Sequence, residues 1–97
     1  MSVVIKEEQK QAGHVSLSYE GEITIYTVAE IKSSLMEHLF KADKLELDLS
    51  KVQKMDTAGY QLFIFLKRES ESREKTVDFL NPSDEVTRLL ELYKGEF

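Results

Sequence analysis

The stretch that most constrains this chain is Leu45 to Arg68, LELDLSKVQKMDTAGYQLFIFLKR. Leu45, Leu47 and Leu49 alternate with Glu46, Asp48 and Ser50. Side chains two residues apart share one face of a strand, so the alternation predicts a half-buried strand. After a short connection, Asp56-Thr57-Ala58-Gly59 opens a strongly apolar helix. The first turn of any helix carries backbone N–H groups with no partner inside the helix. Those donors favour negative charge, a phosphate included. The function is therefore expected at this strand-to-helix junction.

The flanking segments supply further strands and helices. Val3 to Ile5 predicts a short first strand, and the polar Glu7 to Gly13 reads as a turn. His14 to Tyr19, HVSLSY, alternates as a half-buried strand. Gly21 breaks the pattern, and Ile23 and Ile25 continue it briefly. Thr27 with Glu30 three residues on is a capping-box pattern, Thr27 being the N-cap. The helix it opens places Val28, Ile31, Leu35 and Leu39 on one side and ends near Lys41 to Asp43. At about 100° per residue, Ala58, Leu62, Phe65 and Leu66 form the buried side of the next helix, with Phe63 at its edge. Tyr60, Ile64 and Lys67 fall on the other side. This helix fades over Glu69 to Lys75. Thr76 to Leu80 is a strand, and Asn81-Pro82-Ser83 starts a last helix with Pro82 in its first turn. Val86, Leu89, Leu90 and Tyr93 would be its buried side, and Lys94-Gly95 its stop.

Strand–helix–strand units imply parallel neighbours. Parallel strands covered on both faces read as continuous apolar runs, whereas Leu45 to Leu49 alternates cleanly. One sheet face should therefore be polar and partly solvated, with the helices gathered on the other. At 97 residues and 41% apolar, the chain can build one domain with one core. Its net charge of −5 argues against nucleic acid or an anionic membrane as the main partner. The absence of cysteine excludes disulfides, Cys–zinc sites and thiol catalysis. No apolar run reaches the roughly 18–20 residues needed to cross a bilayer, and MSVVIKEEQK lacks the order of a signal peptide. A cytoplasmic protein is the simplest expectation. No GxxxxGK[ST] loop, HExxH motif or Ser/His/Asp set is present, so neither an enzyme nor a cofactor is expected. His14 and His38 stand without ligand spacing, and no metal site is expected.

Four pieces in this order, EGEI, LDLSKV, MDTAGYQLF and VDFLNPSDEVTRLLEL, make the sequence similar to a STAS domain, the fold of the anti-sigma factor antagonists. Together they run from about Val15 to Tyr93. The resemblance implies one α/β domain over residues 1–97. Its mixed sheet would have about four or five strands, with helices packed mainly on one face. It also implies a non-enzymatic module that switches partners. In that family a Ser or Thr after the junction aspartate is phosphorylated by an anti-sigma factor of the serine/threonine-kinase type, and a phosphatase reverses the modification. Here that position is Thr57. The run Ala58-Gly59-Tyr60-Gln61-Leu62 resembles STAS proteins linked to chemotaxis clusters or lipid-transport complexes. In the lipid-transport branch the threonine supports binding to an ATPase subunit. The alternative is thus a constitutive assembly subunit, with Thr57 as contact and cap. A monomer or weak dimer without membrane insertion is expected in either case.

The residues of the junction carry plainer readings beside these. Thr57 reads as the helix N-cap, which does not exclude its phosphorylation. Asp56 either charges the helix start favourably or orients Thr57 for a partner. Gly59 marks a tolerated helix glycine or a close approach of another backbone. Tyr60 and Ile64, one turn apart outside the expected core stripe, form a candidate binding patch.

Overall fold

The computed structural model describes residues 3–93, which form a four-stranded sheet and three helices in one α/β domain. The order is β1 (Val3–Gln11), β2 (His14–Ile23), α1 (Val28–Lys41), β3 (Lys44–Met55), α2 (Thr57–Ser72), β4 (Thr76–Leu80) and α3 (Asp84–Tyr93). The strands lie in the order β1-β2-β3-β4. β1 is antiparallel to β2, whereas β2–β3 and β3–β4 are parallel.

The alternation does what it predicts. Val15, Leu17 and Tyr19 of β2, Leu45, Leu47 and Leu49 of β3, and Val77 of β4 are buried in one core. Ile31, Leu35 and Leu39 of α1 close over it, as do Leu62, Phe63 and Leu66 of α2 and Val86 and Leu89 of α3. The opposite face is polar and half-buried, as expected. His14 Nε2 meets Glu46 Oε1 at 2.6 Å, and Lys44 Nζ meets Asp78 Oδ2 at 3.8 Å. The buried Tyr19 hydroxyl finds no hydrogen-bond partner among the described residues, and burial pushes its ionisation upward.

Four segments differ from the sequence reading. The polar run after Ile5 continues β1 to Gln11, leaving only Ala12 and Gly13 for the turn. Lone polar residues are compatible with an edge strand, where charge discourages further pairing. Ser50 to Met55 is strand, not connection. β2 and β3 stay paired there, Gly21 with Val52 and Ile23 with Met55, across two register shifts. The shifts place buried Val52 and Met55 three residues apart, so period two is lost from the sequence. Gly21, at φ 119°, supplies backbone conformation for one of these irregularities. The last helix begins at Asp84, not within Asn81-Pro82-Ser83. Ser83 is its cap, accepting from the Val86 N–H through Oγ at 3.3 Å. Within α3, Tyr93 is exposed rather than buried, and the expected stop at Lys94-Gly95 lies outside the described residues.

The buried side of α2 is also rotated from expectation. Gly59, Leu62, Phe63, Leu66 and Ser70 face inward, so Phe63 is central. Ala58 and Phe65 are only half-buried, and Lys32 Nζ lies 4.4 Å from the centre of the Phe65 ring. The cause is at the start of the helix. A Cβ on Gly59 would stand 2.6 Å from the Ile23 carbonyl oxygen, so α2 meets the end of β2 backbone to backbone. That contact fixes the rotation of everything after it.

Candidate functional site

At the junction of β3 and α2, Asp56 ties three pieces of chain together. Its backbone N–H donates to the Ile23 carbonyl at 3.3 Å. Its Oδ1 accepts from the Gly59 N–H at 3.2 Å, which makes Asp56 the N-cap of α2. Its Oδ2 accepts from the Ile25 N–H at 3.0 Å and so pins the loop leaving β2. Both carboxylate oxygens thus have a structural partner, and the negative charge sits at the positive end of the helix dipole.

Thr57 is therefore not the cap. It is the first residue of α2, and its side chain is exposed. Because Asp56 supplies the capping oxygen, the Thr57 hydroxyl faces outward. There it is hydrogen-bonded to the hydroxyl of Tyr93, at the end of α3. The Tyr93 ring stacks on Tyr60, with 5.1 Å between centroids and 21° between planes. Tyr60 is half-buried and packs against the core, so it is a platform under Tyr93 and not the open patch residue expected from its helical angle. Ile64 is half-buried one turn further along.

The structure brings Asp56, Thr57, Gly59 and Tyr60 into one neighbourhood and adds residues the sequence reading missed. Ile25 and Tyr26 lie in the loop held by Asp56, and they are 62% and 91% exposed. Ile25, Val28, Ala29 and Lys32 face Ala58, Gln61 and Leu62 across a groove of about 270 Å³. Ile25 was legible as apolar but not as exposed, because its alternation with Ile23 mimics a strand. Nothing in the sequence marks the contact between Thr57 and Tyr93, 36 residues apart.

The neighbouring helix begins differently. Thr27 precedes α1, but its side chain makes no cap hydrogen bond. It is buried, donating to the Glu22 carbonyl at 2.9 Å and accepting from the Thr24 N–H at 3.0 Å. The capping box with Glu30 is not formed, because the hydroxyl is already engaged in closing the turn after β2.

Each histidine has a carboxylate partner across the fold, His14 with Glu46 and His38 with Glu7 at 3.0 Å. Among the described residues, no group of three or more His, Asp or Glu side chains could hold a metal ion. Also among them, no helix is long and apolar enough to cross a membrane. A second groove, of about 330 Å³ between α2, β4 and α3, contains none of the candidate residues.

Comparison with known proteins matches residues 6–95 to the family described as "Mlab, STAS domain". The anti-sigma-B factor antagonist of Listeria monocytogenes is 27% identical over 93 residues, which are 95% of this chain and 82% of that protein. Among solved structures, the anti-sigma factor antagonist SpoIIAA in its unphosphorylated form superposes with a TM-score of 0.78 at 20% identity. That match covers 94% of this chain and 81% of SpoIIAA. The Bacillus cell fate determinant SpoIIAA in its phosphorylated form gives 0.74 at 20% identity, over 93% and 83%. These structural likenesses speak for the fold, and the family match spans nearly the whole length, so the chain belongs to the STAS domain family.

Proposed function

We propose that this chain is a non-enzymatic, cytoplasmic regulatory module of the anti-sigma factor antagonist type. It binds an anti-sigma factor with serine/threonine-kinase character when Thr57 is unmodified and loses that partner when Thr57 is phosphorylated. A phosphatase returns it to the binding form. The observation that carries this reading is the exposed Thr57 side chain at the start of α2, free of capping duty because Asp56 takes the cap and met at its hydroxyl by that of Tyr93. The exposed Ile25 and Tyr26 and the groove along Ala58 and Leu62 give a partner apolar surface beside it. Asp56 and Gly59 hold this surface in place, and Tyr60 and Ile64 are the candidate contacts further along α2. The naming of the Listeria relative and the two phosphorylation states of SpoIIAA are in keeping with it.

The energetics favour a switch of binding over a switch of fold. A phosphate brings about −1.5 to −2 charges. The helix terminus stabilises such charge by only about 0.3–2 kcal/mol, and the site is open to water. The domain can therefore carry the modification, whereas a partner closed over it would bury an unpaired dianion.

The test is incubation with a purified anti-sigma factor kinase and ATP, followed by mass spectrometry. One added phosphoryl group at Thr57 is expected, and none in Thr57→Ala. Labelling elsewhere, or no labelling, overturns the phosphorylation reading. Partner binding should survive Thr57→Ala and drop sharply in Thr57→Glu. Comparable losses in both variants would instead favour a constitutive contact, such as that with a transporter ATPase subunit.

A further inference from the structure

We infer that Tyr93 is a removable cover on Thr57, so that the last turn of α3 reports the modification state of the threonine. This rests on the reading of Thr57 as a phosphoacceptor. Two contacts seat the cover: the hydrogen bond between the Tyr93 and Thr57 hydroxyls, and the stack of the Tyr93 ring on Tyr60. The platform is fixed, because Tyr60 belongs to α2 and packs against the core. The cover is not fixed. α3 buries Val86 and Leu89, but Glu91, Leu92 and Tyr93 are all exposed. Leu90 still packs against the core, so the part that can lift without opening it is Glu91 to Tyr93.

Phosphorylation and seating compete for the same oxygen. A kinase transfers the γ-phosphoryl group of ATP to Thr57 Oγ1. The Oγ1–P bond forms, the bond from phosphorus to the departing ADP oxygen breaks, and the threonine proton passes to a base of the kinase. The new phosphorus brings three further oxygens into the shell where the Tyr93 hydroxyl sits. Before transfer the same hydroxyl blocks approach to Oγ1, so the kinase acts only on the uncovered fraction. A net hydrogen bond of ordinary strength corresponds to roughly a two- to tenfold change in that fraction. A surface residue that only packed on Tyr60 would not link the two events.

Nuclear Overhauser contacts between the Tyr60 and Tyr93 rings test the cover without any kinase. They should be present in the wild type and lost in Thr57→Glu. Their persistence in Thr57→Glu, or absence from the wild type, overturns the inference. The second arm measures initial rates of phosphorylation by the purified kinase. Tyr93→Phe should be labelled roughly two- to tenfold faster than wild type, with a loss of unfolding stability no greater than that same factor. A wild-type rate in Tyr93→Phe overturns the cover while leaving Thr57 as phosphoacceptor. Ring contacts that respond as expected in a protein never labelled at Thr57 support the cover and overturn the phosphorylation reading.

Discussion

Two threonines stand at the starts of two adjacent helices, and the fold uses them in opposite ways. Thr27, before α1, is 3% exposed, and its hydroxyl closes the turn after β2 onto the Glu22 carbonyl and the Thr24 amide. Thr57, opening α2, is exposed and contributes nothing to the cap. The difference does not lie in the threonines. It lies in the residue before α2, where Asp56 supplies a capping carboxylate with a second oxygen left over for the Ile25 amide. The Thr57 hydroxyl faces outward because Asp56 caps α2, whereas the Thr27 hydroxyl is consumed by the turn before α1 and caps nothing.

That contrast can be broken in a graded way. The largest effect should come from Gly59→Ala, because the added methyl meets the Ile23 carbonyl oxygen at 2.6 Å with strand backbone behind it. A loss of about 3 kcal/mol is expected, read from denaturant unfolding. An unchanged midpoint would mean that α2 does not seat on β2 as described. Thr27→Val keeps the shape but strands two polar groups of the turn, at a cost of about 2 kcal/mol. If that variant is as stable as the wild type, the assignment of Thr27 to structure fails. Asp56→Ala removes one cap and one loop pin, for about 1–2 kcal/mol. It should also raise hydrogen exchange at the Ile25 and Gly59 amides above that of their neighbours. Thr57→Val is the smallest, losing at most its one hydrogen bond to Tyr93, about 0.5–1 kcal/mol by thermal unfolding. A loss as large as that of Thr27→Val would erase the distinction between the two residues.

Much of this fold is legible in the sequence because its signals are periodic. Leu45 to Leu49 alternates, α1 repeats its apolar residues at three and four, and both patterns survive folding, with Val28 alone half-buried at the open end of its stripe. The tail of β3 was not legible, because register shifts against β2 replace period two with a spacing of three at Val52 and Met55. Most of β1 was hidden for another reason: a charged edge strand looks like a turn. At the site, the sequence points to Asp56 and Thr57 together but assigns the cap to the wrong one. Both are good capping residues, and only the position of the Ile25 amide decides between them. The rotation of α2 was missed because helical angles locate a stripe and not its centre, which here the Gly59 contact selects. Tyr93 lay beyond any local pattern, since its partners belong to a different helix.

One detail at the far side of the sheet bears on how the molecule keeps company with its own kind. β4 is a terminal strand, and Lys67 from α2 donates to its Val77 carbonyl at 2.9 Å while lying 5.8 Å from the centre of the Phe79 ring. A lysine ammonium group seated on a strand carbonyl discourages a neighbouring chain from pairing there. At the other margin, β1 carries the acidic Glu7 and Glu8, both exposed, with Glu7 paired to His38 of α1. Growth of the sheet into a continuous ribbon of copies is thus discouraged on either flank.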